Sequence, residues 1–222
     1  MRKLVIAVDG YSSTGKSSIS KVIAQKLGLV HLDTGALYRG VTLYALRHCL
    51  GTDNAIDFQK LFEKFNEVKL EFRNENGEML LFLNGENISH EIRHHEISAQ
   101  VSNIAKQKEV RDFLLDTQRK MAENGGVIMD GRDIGTVILP DADYKFFLTA
   151  SPDERARRRF LELQHMGEKT DFQTVKENLI RRDKIDSERE IAPLKQADGA
   201  ILIDNTHLNK EETVAIILSK IQ

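Results

Sequence analysis

The sequence has little of several features that would place a protein outside the ordinary globular class. It has one cysteine, Cys49, which excludes an internal disulfide framework and fits a reducing cytosol. Its three prolines disfavour long flexible linkers. Its formal net charge of −2 provides no overall positive field that would draw the chain to nucleic acid or anionic lipid. No apolar run approaches the length of a membrane span. We therefore expect a cytoplasmic protein with no nucleic-acid or membrane partner, and the modest apolar surfaces of its predicted helices favour a monomer.

The order of apolar and polar segments predicts the fold class. The chain has 222 residues, of which 41% are hydrophobic and 30% charged, so it can bury a substantial core. Short apolar runs predict buried strands at Leu4–Val8, Leu29–Leu32, Val127–Met129, Tyr144–Leu148 and Ala200–Ile203. Each run is followed by polar or glycine-containing sequence and then by a helical pattern. This alternation predicts an α/β fold in which helices cover both faces of a parallel sheet.

Polar residues gather where the predicted strands end. The sequences that follow four of the strands begin at Asp9, Asp33, Asp130 and Asp204. Because ligands of parallel α/β sheets bind beyond the carboxyl ends of the strands, we expect the chemistry of this protein at that edge.

One segment departs from this alternation. Val68–Phe72 alternates apolar and polar residues, Met79–Leu83 does so less strictly, and Asn74–Gly77 between them is a hairpin signal. Asn84-Gly85 predicts a second turn. These patterns predict a small antiparallel sheet inserted at about residues 64–90, followed by helices from about Ser98 to Ala122.

The most specific local pattern is a glycine-rich loop between the first strand and the first helix. Residues 10–17 match G-x-x-x-x-G-K-S, and Ile19, Val22 and Ile23 begin a helical repeat directly after it. In this context the loop amides and the helix dipole form a phosphate cradle. We expect Lys16 to reach the β- and γ-phosphates and Ser17 to ligate Mg²⁺. The residues predicted to bind ATP are Gly10, Tyr11, Ser12, Ser13, Thr14, Gly15, Lys16, Ser17 and Ser18. The alternative is an ordinary glycine turn before a helix.

A second group of charged residues follows the strand at Val127–Met129. Asp130 is at the position where P-loop proteins commonly hold a carboxylate near Mg²⁺. The next residues, Gly131-Arg132-Asp133, add an arginine and an acid that a simple nucleotide hydrolase does not need. The alternative is an ion pair within the loop.

Arginines are concentrated in two later segments. Arg155, Arg157, Arg158 and Arg159 occur in a predicted helix that begins after Ser151-Pro152. Arg182, Asp186 and Arg189 share one face if their segment is helical. A solvated helix with salt bridges is the alternative for both. Transfer of a phosphoryl group to another phosphate brings two polyanions together, and guanidinium groups on segments that close over the site would neutralise them and exclude water.

The segment after the second strand predicts another anion site. Asp33 or Thr34 can cap the helix that begins there, and Arg39 lies about one turn further along. Two anion sites at neighbouring strand ends indicate a donor phosphate and an acceptor phosphate.

Taken together, these motifs resemble the bacterial-type cytidylate kinases, of the nucleoside monophosphate kinase group. The resemblance covers nearly the whole chain in the order and spacing of that family. Besides the P-loop, it rests on residues 32–39, 83–86, 92–93, 110–111, 130–136, 154–159 and 182–189. Departures from the family pattern occur at Tyr11, where proline is usual, at Lys108, and at His94-His95.

The resemblance implies an ATP-dependent phosphorylation of CMP and dCMP with Mg²⁺, and it implies roles for individual residues. Ser102, Arg111 and Asp133 match residues that recognise the cytosine edge, and Arg182 and Asp186 match residues that hold the pentose. Residues that match acceptor-phosphate ligands of the family are Arg39, Arg132 and Arg189. Thr34, at the second anion site, is a further predicted substrate-binding residue. The groups expected to act on the transferring phosphoryl group are Lys16, Arg132, Arg157, Arg158 and Arg189.

The resemblance also implies a domain organisation. A P-loop core would comprise residues 1–63 and 91–222, with an arginine-rich lid at about 151–190. The antiparallel insertion at 64–90 would belong to a monophosphate-binding region that extends over about 35–105.

Two other functions are compatible with the P-loop. The first is a kinase for another small acceptor, such as UMP or a non-nucleotide metabolite, although an acid and an arginine together suit a base edge. The second is a nucleotide-gated switch. Such switches usually carry a base-specificity motif such as Asn-Lys-x-Asp, and this sequence has none.

Overall fold

The central feature of the protein is a five-stranded parallel sheet, as the sequence predicts. A computed structural model describes residues 3–76 and 78–221. The strands of the sheet lie in the order β2-β6-β1-β7-β8 and all adjacent strands are parallel. Their bounds are β1 Val5–Gly10, β2 Val30–Asp33, β6 Val127–Asp130, β7 Tyr144–Thr149 and β8 Ile201–Asp204. Each agrees with its predicted apolar run to within a residue or two.

Helices cover this sheet and enclose its apolar side chains. The helices α1 Lys16–Leu27 and α8 Lys210–Leu218 pack on the sheet and against each other, and α6 Pro152–His165 packs against α7 Phe172–Glu188. The core includes buried side chains of β1, β6, β7, α1 and α8, among them Ile6, Val8, Ile19, Ile23, Ile128, Phe146, Leu148 and Ile217. Each side chain of this size contributes about 1.5–3 kcal/mol when it is fully buried. This core supports the loops at the ends of the strands.

The predicted antiparallel insertion is present. Strands β3 Leu70–Glu75 and β4 Glu78–Leu83 form a hairpin, and the two-residue strand β5 Glu86–Asn87 pairs with β4. Asn76 has a positive φ of 54°, as a tight hairpin turn requires. Gly77, the last residue of the predicted turn, lies outside the described residues.

The other helices are α2 Thr34–His48, α3 Phe58–Glu63, α4 His95–Ala105 and α5 Lys108–Ala122. The helical region predicted from Ser98 to Ala122 is therefore two helices, which are separated by Lys106 and Gln107. Cys49 follows α2 and is fully buried as a free thiol, which agrees with a packing role. In residues 3–76 and 78–221, no helix combines the length and the hydropathy needed to cross a membrane.

The chain divides into two compact units. The first comprises residues 1–33 and 118–222 and contains the parallel sheet, and the second comprises residues 34–117 and contains the antiparallel sheet. The core, lid and insertion boundaries inferred from the sequence remain a prediction.

The register of the parallel sheet brings acidic residues to one edge. Asp33 is the direct partner of Asp130 across β2 and β6, and Asp130 is also opposite Val8 of β1. On the far side, Asp204 is opposite Thr149. The loops that follow these strands therefore begin at the same edge of the first unit.

Candidate active site

The P-loop is shaped by positions that require a left-handed backbone. Gly10 has a φ of 143°, and a Cβ atom at this position would lie 2.0 Å from the carbonyl oxygen of Leu148. Ser13 has a φ of 60°, and Gly15, the residue before α1, has a φ of 84°. Only glycine adopts the conformation of Gly10 without strain. This curl turns the loop back onto the N-terminus of α1, where anions are stabilised.

Lys16 is folded onto its own loop. Its ammonium group donates to the carbonyl oxygens of Gly10, at 2.8 Å, and Tyr11, at 2.6 Å. The side chain is buried, and burial holds the pKa of Lys16 well below its ordinary value, an effect that the neighbouring Arg132 reinforces. The ammonium is therefore held at the inner wall of the P-loop, with nearby carbonyl oxygens as its partners.

The structure brings the two residues predicted to bind the cation together. The Ser17 hydroxyl donates to Oδ2 of Asp130 at 2.8 Å. A hydroxyl and a carboxylate are oxygen ligands of the kind that Mg²⁺ prefers, and Mg²⁺ is usually held by one or two carboxylates plus substrate phosphates. The residues present therefore fit a divalent cation that is bound together with a nucleoside triphosphate.

His31 was not identified from the sequence, although it contacts this pair. Its Nε2 atom lies 2.6 Å from Oδ1 of Asp130. Burial lowers the pKa of His31, but the hydrogen bond to Asp130 and the charges of Asp130 and Asp33 outweigh burial, so the net pKa is raised. The only available sequence signal was a histidine in β2, two residues before Asp33.

Asp9 is a second residue whose contacts the sequence did not indicate. Its buried carboxylate accepts hydrogen bonds from the backbone N–H groups of Ile134, at 2.8 Å, and Gly135, at 2.7 Å. Burial raises the pKa of Asp9 to about 6, in spite of these two hydrogen bonds. Asp9 thus connects the end of β1 to the turn that carries Arg132 and Asp133.

Several predicted acceptor residues form charged pairs in the first unit. Arg132 Nε donates to Oδ2 of Asp186 at 3.0 Å, and Arg189 Nη2 lies 3.5 Å from Oδ1 of Asp133. Asp133 and Asp186 are both buried. The Arg132-Asp133 segment is therefore connected to α7 and to the residue after it, so the two acids and two arginines form one cluster and not only a local ion pair.

Arg182 adds an unusual group to this cluster. It precedes Asp186 by one turn of α7 and is buried, and within the described part of the chain its Nε atom has no hydrogen-bond partner. Burial lowers the pKa of Arg182 to about 10, and Asp186 partly offsets this effect. A buried guanidinium N–H without a partner is costly, so its presence here is characteristic of a ligand-binding position.

The arginines of α6 differ in their surroundings. The helix begins after Ser151, whose side chain accepts from the backbone of Glu154, as the sequence predicts. Arg157 is exposed and pairs with Glu154 at 2.8 Å. Arg158 also pairs with Glu154, and in addition donates to the carbonyl oxygen of Asn205 at 2.8 Å. These two pairs lower the pKa of Glu154 to about 2.

Arg155 of the same helix is buried and contacts the P-loop. It donates to the carbonyl oxygen of Ser12 at 3.2 Å and to Asp183 of α7 at 2.7 Å. Its guanidinium group also lies over the Tyr11 ring, 5.1 Å from the ring centroid. Tyr11, where the family usually has proline, therefore packs against Arg155.

A cavity of about 340 Å³ lies beside these elements. It is lined by Ser151, Asp153, Glu154, Arg157, Phe172, Thr206 and His207. Asn205, the residue before Thr206, donates from its side-chain amide to the carbonyl oxygen of Thr14 at 2.8 Å. The loop that carries Thr206 and His207 is therefore anchored to the P-loop.

The second unit carries the other predicted substrate residues. Thr34 is the buried first residue of α2, and Arg39 donates to the Ser98 hydroxyl of α4 at 2.8 Å. Ser102 is buried on α4. Arg111 of α5 is buried, donates to the carbonyl oxygen of Ala105 at 3.3 Å, and lies 5.6 Å from the centroid of the Tyr38 ring.

A P-loop at the carboxyl edge of a parallel sheet, with a hydroxyl–carboxylate pair and clustered arginines beside it, defines the class of P-loop kinases. Comparison with known proteins identifies the family within this class. The profile of the family described as cytidylate kinase matches residues 6–222. A cytidylate kinase of Bacillus cereus is 45% identical over 218 residues, which cover 98% of this chain and 96% of that protein. A cytidylate kinase of Bacillus thuringiensis is 45% identical over 217 residues, which cover 98% and 95%.

The chain belongs to the cytidylate kinase family, as the resemblance of its motifs indicates. It is therefore a phosphotransferase of a family that works with ATP and a divalent metal ion. Among solved structures, an uncharacterized protein from Eubacterium ventriosum has a TM-score of 0.51 with 13% identity, and the match covers 99% of this chain and 98% of that one. This last similarity concerns the fold alone.

Proposed function

We propose that the protein transfers the γ-phosphoryl group of ATP, bound with Mg²⁺, to CMP and dCMP, and so forms CDP and dCDP. The observation that carries this proposal is a cluster in the unit that also holds the P-loop, in which the half-buried Arg132 joins the buried residues Asp133, Arg182, Asp186 and Arg189. A nucleotide hydrolase needs a water and a carboxylate, whereas an acceptor nucleotide needs several donors for its phosphate and pentose.

The donor would be bound by residues Gly10 to Ser18. The loop amides and the N-terminus of α1 face its phosphates, and Lys16 exchanges its carbonyl partners for phosphate oxygens. Ser17 and Asp130 would hold the cation, which when bound neutralises charge on the β- and γ-phosphates. The cavity at Arg157, Phe172 and His207 would receive the donor base, because aromatic and guanidinium groups stack well on nucleobases.

The acceptor phosphate would be bound by arginines. Arg132 and Arg189 are paired with acids, so a phosphate can replace these partners without leaving a guanidinium group unsatisfied. In the second unit, the arginine proposed to bind the acceptor phosphate is Arg39, near the N-terminus of α2. The open Nε of Arg182, with Asp186, suits the pentose hydroxyls. Because the attacking oxygen is already an anion, positioning and charge stabilisation supply most of the rate, with no strong general base.

The choice of base would depend on Asp133. An ionised carboxylate accepts from the exocyclic amine of cytosine, and Arg111 would donate to the ring nitrogen or carbonyl, with Ser102 of α4 as a further polar group. Uracil would oppose a carbonyl to the carboxylate and leave a buried charge unpaired. Such a mismatch costs a few kcal/mol, so we expect CMP and dCMP to be preferred over UMP by roughly 10²-fold or more.

A coupled assay with ATP and each nucleoside monophosphate tests this function. We expect Asp133→Asn to narrow the ratio of kcat/KM for CMP and UMP, because an amide can either donate or accept at the base edge. Glu190→Gln serves as the control. Glu190 is exposed and directly follows Arg189, the partner of Asp133, and its replacement should leave the ratio unaltered. Equal use of CMP and UMP by the unaltered protein would contradict the assignment of Asp133, and activity on a non-nucleotide acceptor alone would contradict the function.

A single chain carries the P-loop, the hydroxyl–carboxylate pair and both arginine groups. We therefore propose that the protein acts as a monomer, and in the cytoplasm, where its nucleotide substrates occur. Sedimentation at assay concentration tests the oligomeric state.

A further inference from the structure

The Asp130 carboxylate is bound from two sides. Ser17, at the start of α1, donates to Oδ2 at 2.8 Å, and His31, on β2, lies 2.6 Å from Oδ1. Asp130 itself is the last residue of β6 and is almost fully buried. Because an ionised carboxylate can only accept hydrogen bonds, Nε2 of His31 carries the hydrogen in this contact.

The scaffold around this histidine is rigid. Strand β2 pairs with β6 in parallel register along its whole length, from Val30 opposite Val127 to Asp33 opposite Asp130. The side chain of His31 is only 16% exposed, so its rotamer is limited by its surroundings. The ring therefore meets Asp130 in a fixed orientation, and the orientation of the carboxylate plane is determined in turn.

From this geometry we infer that His31 is a positioning residue for the cation site, acting through Asp130. This inference rests on the proposed function, in which Asp130 and Ser17 hold the cation bound with ATP. By holding Oδ1, His31 directs Oδ2 toward Ser17, the other residue that would hold the cation. Partners of this kind, which bind the ligand of a metal but not the metal, typically change metal affinity or activity by about 10–100-fold when they are removed.

The chemistry of the contact explains why loss of the histidine would be felt at the cation. A buried carboxylate that loses a donor keeps its desolvation cost and can rotate about its side-chain bonds toward other donors. Oδ2 would then no longer lie beside Ser17, and the two oxygen ligands would have to be brought together when the cation binds. The cost should appear in cation-dependent binding of ATP and not in the contacts of the loop amides with phosphate.

Equilibrium binding of ATP to the full chain, with no acceptor present, tests this inference. Affinity is measured by calorimetry in saturating Mg²⁺ and again in EDTA, for the unaltered protein, His31→Phe and His31→Gln. The glutamine amide can donate to Oδ1 much as Nε2 does, whereas phenylalanine fills the space without a donor. His90→Phe, which removes an exposed histidine of the second unit, is the matched control.

We expect His31→Phe to weaken binding of ATP in Mg²⁺ by about 10-fold or more while binding in EDTA changes by less than about 2-fold, and His31→Gln to recover most of the loss. His31→Ala, which cannot overpack the site, replaces the phenylalanine variant if the latter unfolds below the temperature of the assay. Equal losses in Mg²⁺ and in EDTA, no loss at all, or failure of glutamine to restore binding would each overturn the inference.

Asp130→Asn separates this inference from the function on which it rests. If this variant loses Mg²⁺-dependent binding and the His31 variants do not, the positioning role is wrong and the cation assignment stands. If Asp130→Asn binds ATP with the same dependence on Mg²⁺ as the unaltered protein, the assignment of Asp130 to the cation and the inference about His31 are both overturned. Phosphorylation of CMP is measured independently and is not decided by either result.

Discussion

At the scale of single residues, the conformation of the P-loop depends on the absence of a side chain at Gly10 and on the long side chain of Lys16. Gly10 cannot carry a side chain, because a Cβ atom would lie 2.0 Å from a backbone oxygen of the neighbouring strand and the φ of 143° is unfavourable for any other residue. Lys16 is the reverse case, since its long side chain reaches back to the carbonyl oxygens of Gly10 and Tyr11. The loop is thus folded around the ammonium group of Lys16, which would contact the phosphates of the substrate.

Lys16→Ala should abolish phosphoryl transfer while it leaves binding of CMP nearly intact. Removal of a cation that contacts the transferring group costs on the order of 10³-fold or more in turnover. The acceptor would instead contact the arginine cluster around α7. Turnover is measured in the coupled assay and CMP affinity by calorimetry, with Lys195→Ala, an exposed lysine of the same unit, as the control. Turnover within tenfold of the unaltered protein would end the assignment of the P-loop.

At the scale of elements, α6 contains arginines that differ in burial and contacts. Arg155 is buried against the P-loop and α7, where a solvated helix would have no reason to place it. Arg158 holds the loop at Asn205, and that loop is bonded to Thr14 of the P-loop. Arg157 is mostly exposed and pairs with Glu154. The helix therefore has one structural arginine, one that connects loops, and one whose charge can be redirected to a ligand.

Replacement of Arg157 and Arg158 together by glutamine should lower turnover on the order of 10²-fold and change CMP affinity little, because these groups are expected to act on the donor phosphates when the lid closes. The readouts are kcat and the binding constant of CMP. Arg181→Gln, an exposed arginine of α7, controls for the loss of a surface charge. An unchanged turnover number would mean that Arg157 and Arg158 do not act on the donor phosphates and serve only in the contacts that the structure shows.

Packing in the second unit is also decided at the scale of elements. A Cβ atom on Gly40 of α2 would lie 2.6 Å from Leu70, 3.3 Å from Leu81 and 3.4 Å from Ile88, so helix and antiparallel sheet approach closely at this position. In an isolated helix, glycine is less favourable than alanine by about 1 kcal/mol. The close approach explains why glycine occurs here within a helix.

At the scale of the whole molecule, the buried acid of β1 affects how global stability depends on pH. The pKa of Asp9 is about 6 in the folded protein and near 3.8 when solvated. Below the lower value the group is protonated in both states. As the pH rises, the unfolded chain ionises first and the folded protein retains its proton up to about 6. The contribution of Asp9 to stability is therefore greatest at low pH and is lost as the pH rises through this window.

Denaturant unfolding of the unaltered protein and of Asp9→Asn, compared across pH, tests this sign. The free energy of unfolding of the unaltered protein minus that of the variant should fall by about 2 kcal/mol between about pH 4 and pH 7. Groups common to both proteins cancel in this difference. Asp198→Asn, an exposed acid of the same unit, is the control. A difference that rises with pH would show that the hydrogen bonds from Ile134 and Gly135 dominate over burial.

Much of the fold and part of the site could be predicted from local sequence. The apolar runs at β1, β6 and β7 are continuous because both faces of a parallel sheet are covered. The P-loop is specified by glycines and a lysine within eight residues. The start of α6 is specified by Ser151-Pro152. In each case the interacting groups are close in sequence, so their spacing predicts their geometry. The helices predicted over about residues 98–122 are present as α4 and α5, but the position of the break between them was not predicted, because both segments carry a helical pattern.

The tertiary structure decided what lies beside these local elements. The strand order β2-β6-β1-β7-β8 makes neighbours of β2 and β6, which are about 100 residues apart in sequence, and this order brings His31 to Asp130. It likewise brings Asp9 to Ile134 and, through the packing of α6 against α7, Arg155 to Asp183. Composition and spacing do not predict such pairs, because the local pattern of a sequence depends on the polarity of each side chain and not on the distant residue that it will contact. The sequence alone therefore determined the phosphate loop and the strands that support it, whereas the orientation of the proposed cation ligands, Ser17 and Asp130, was determined only when the strands assembled into a sheet.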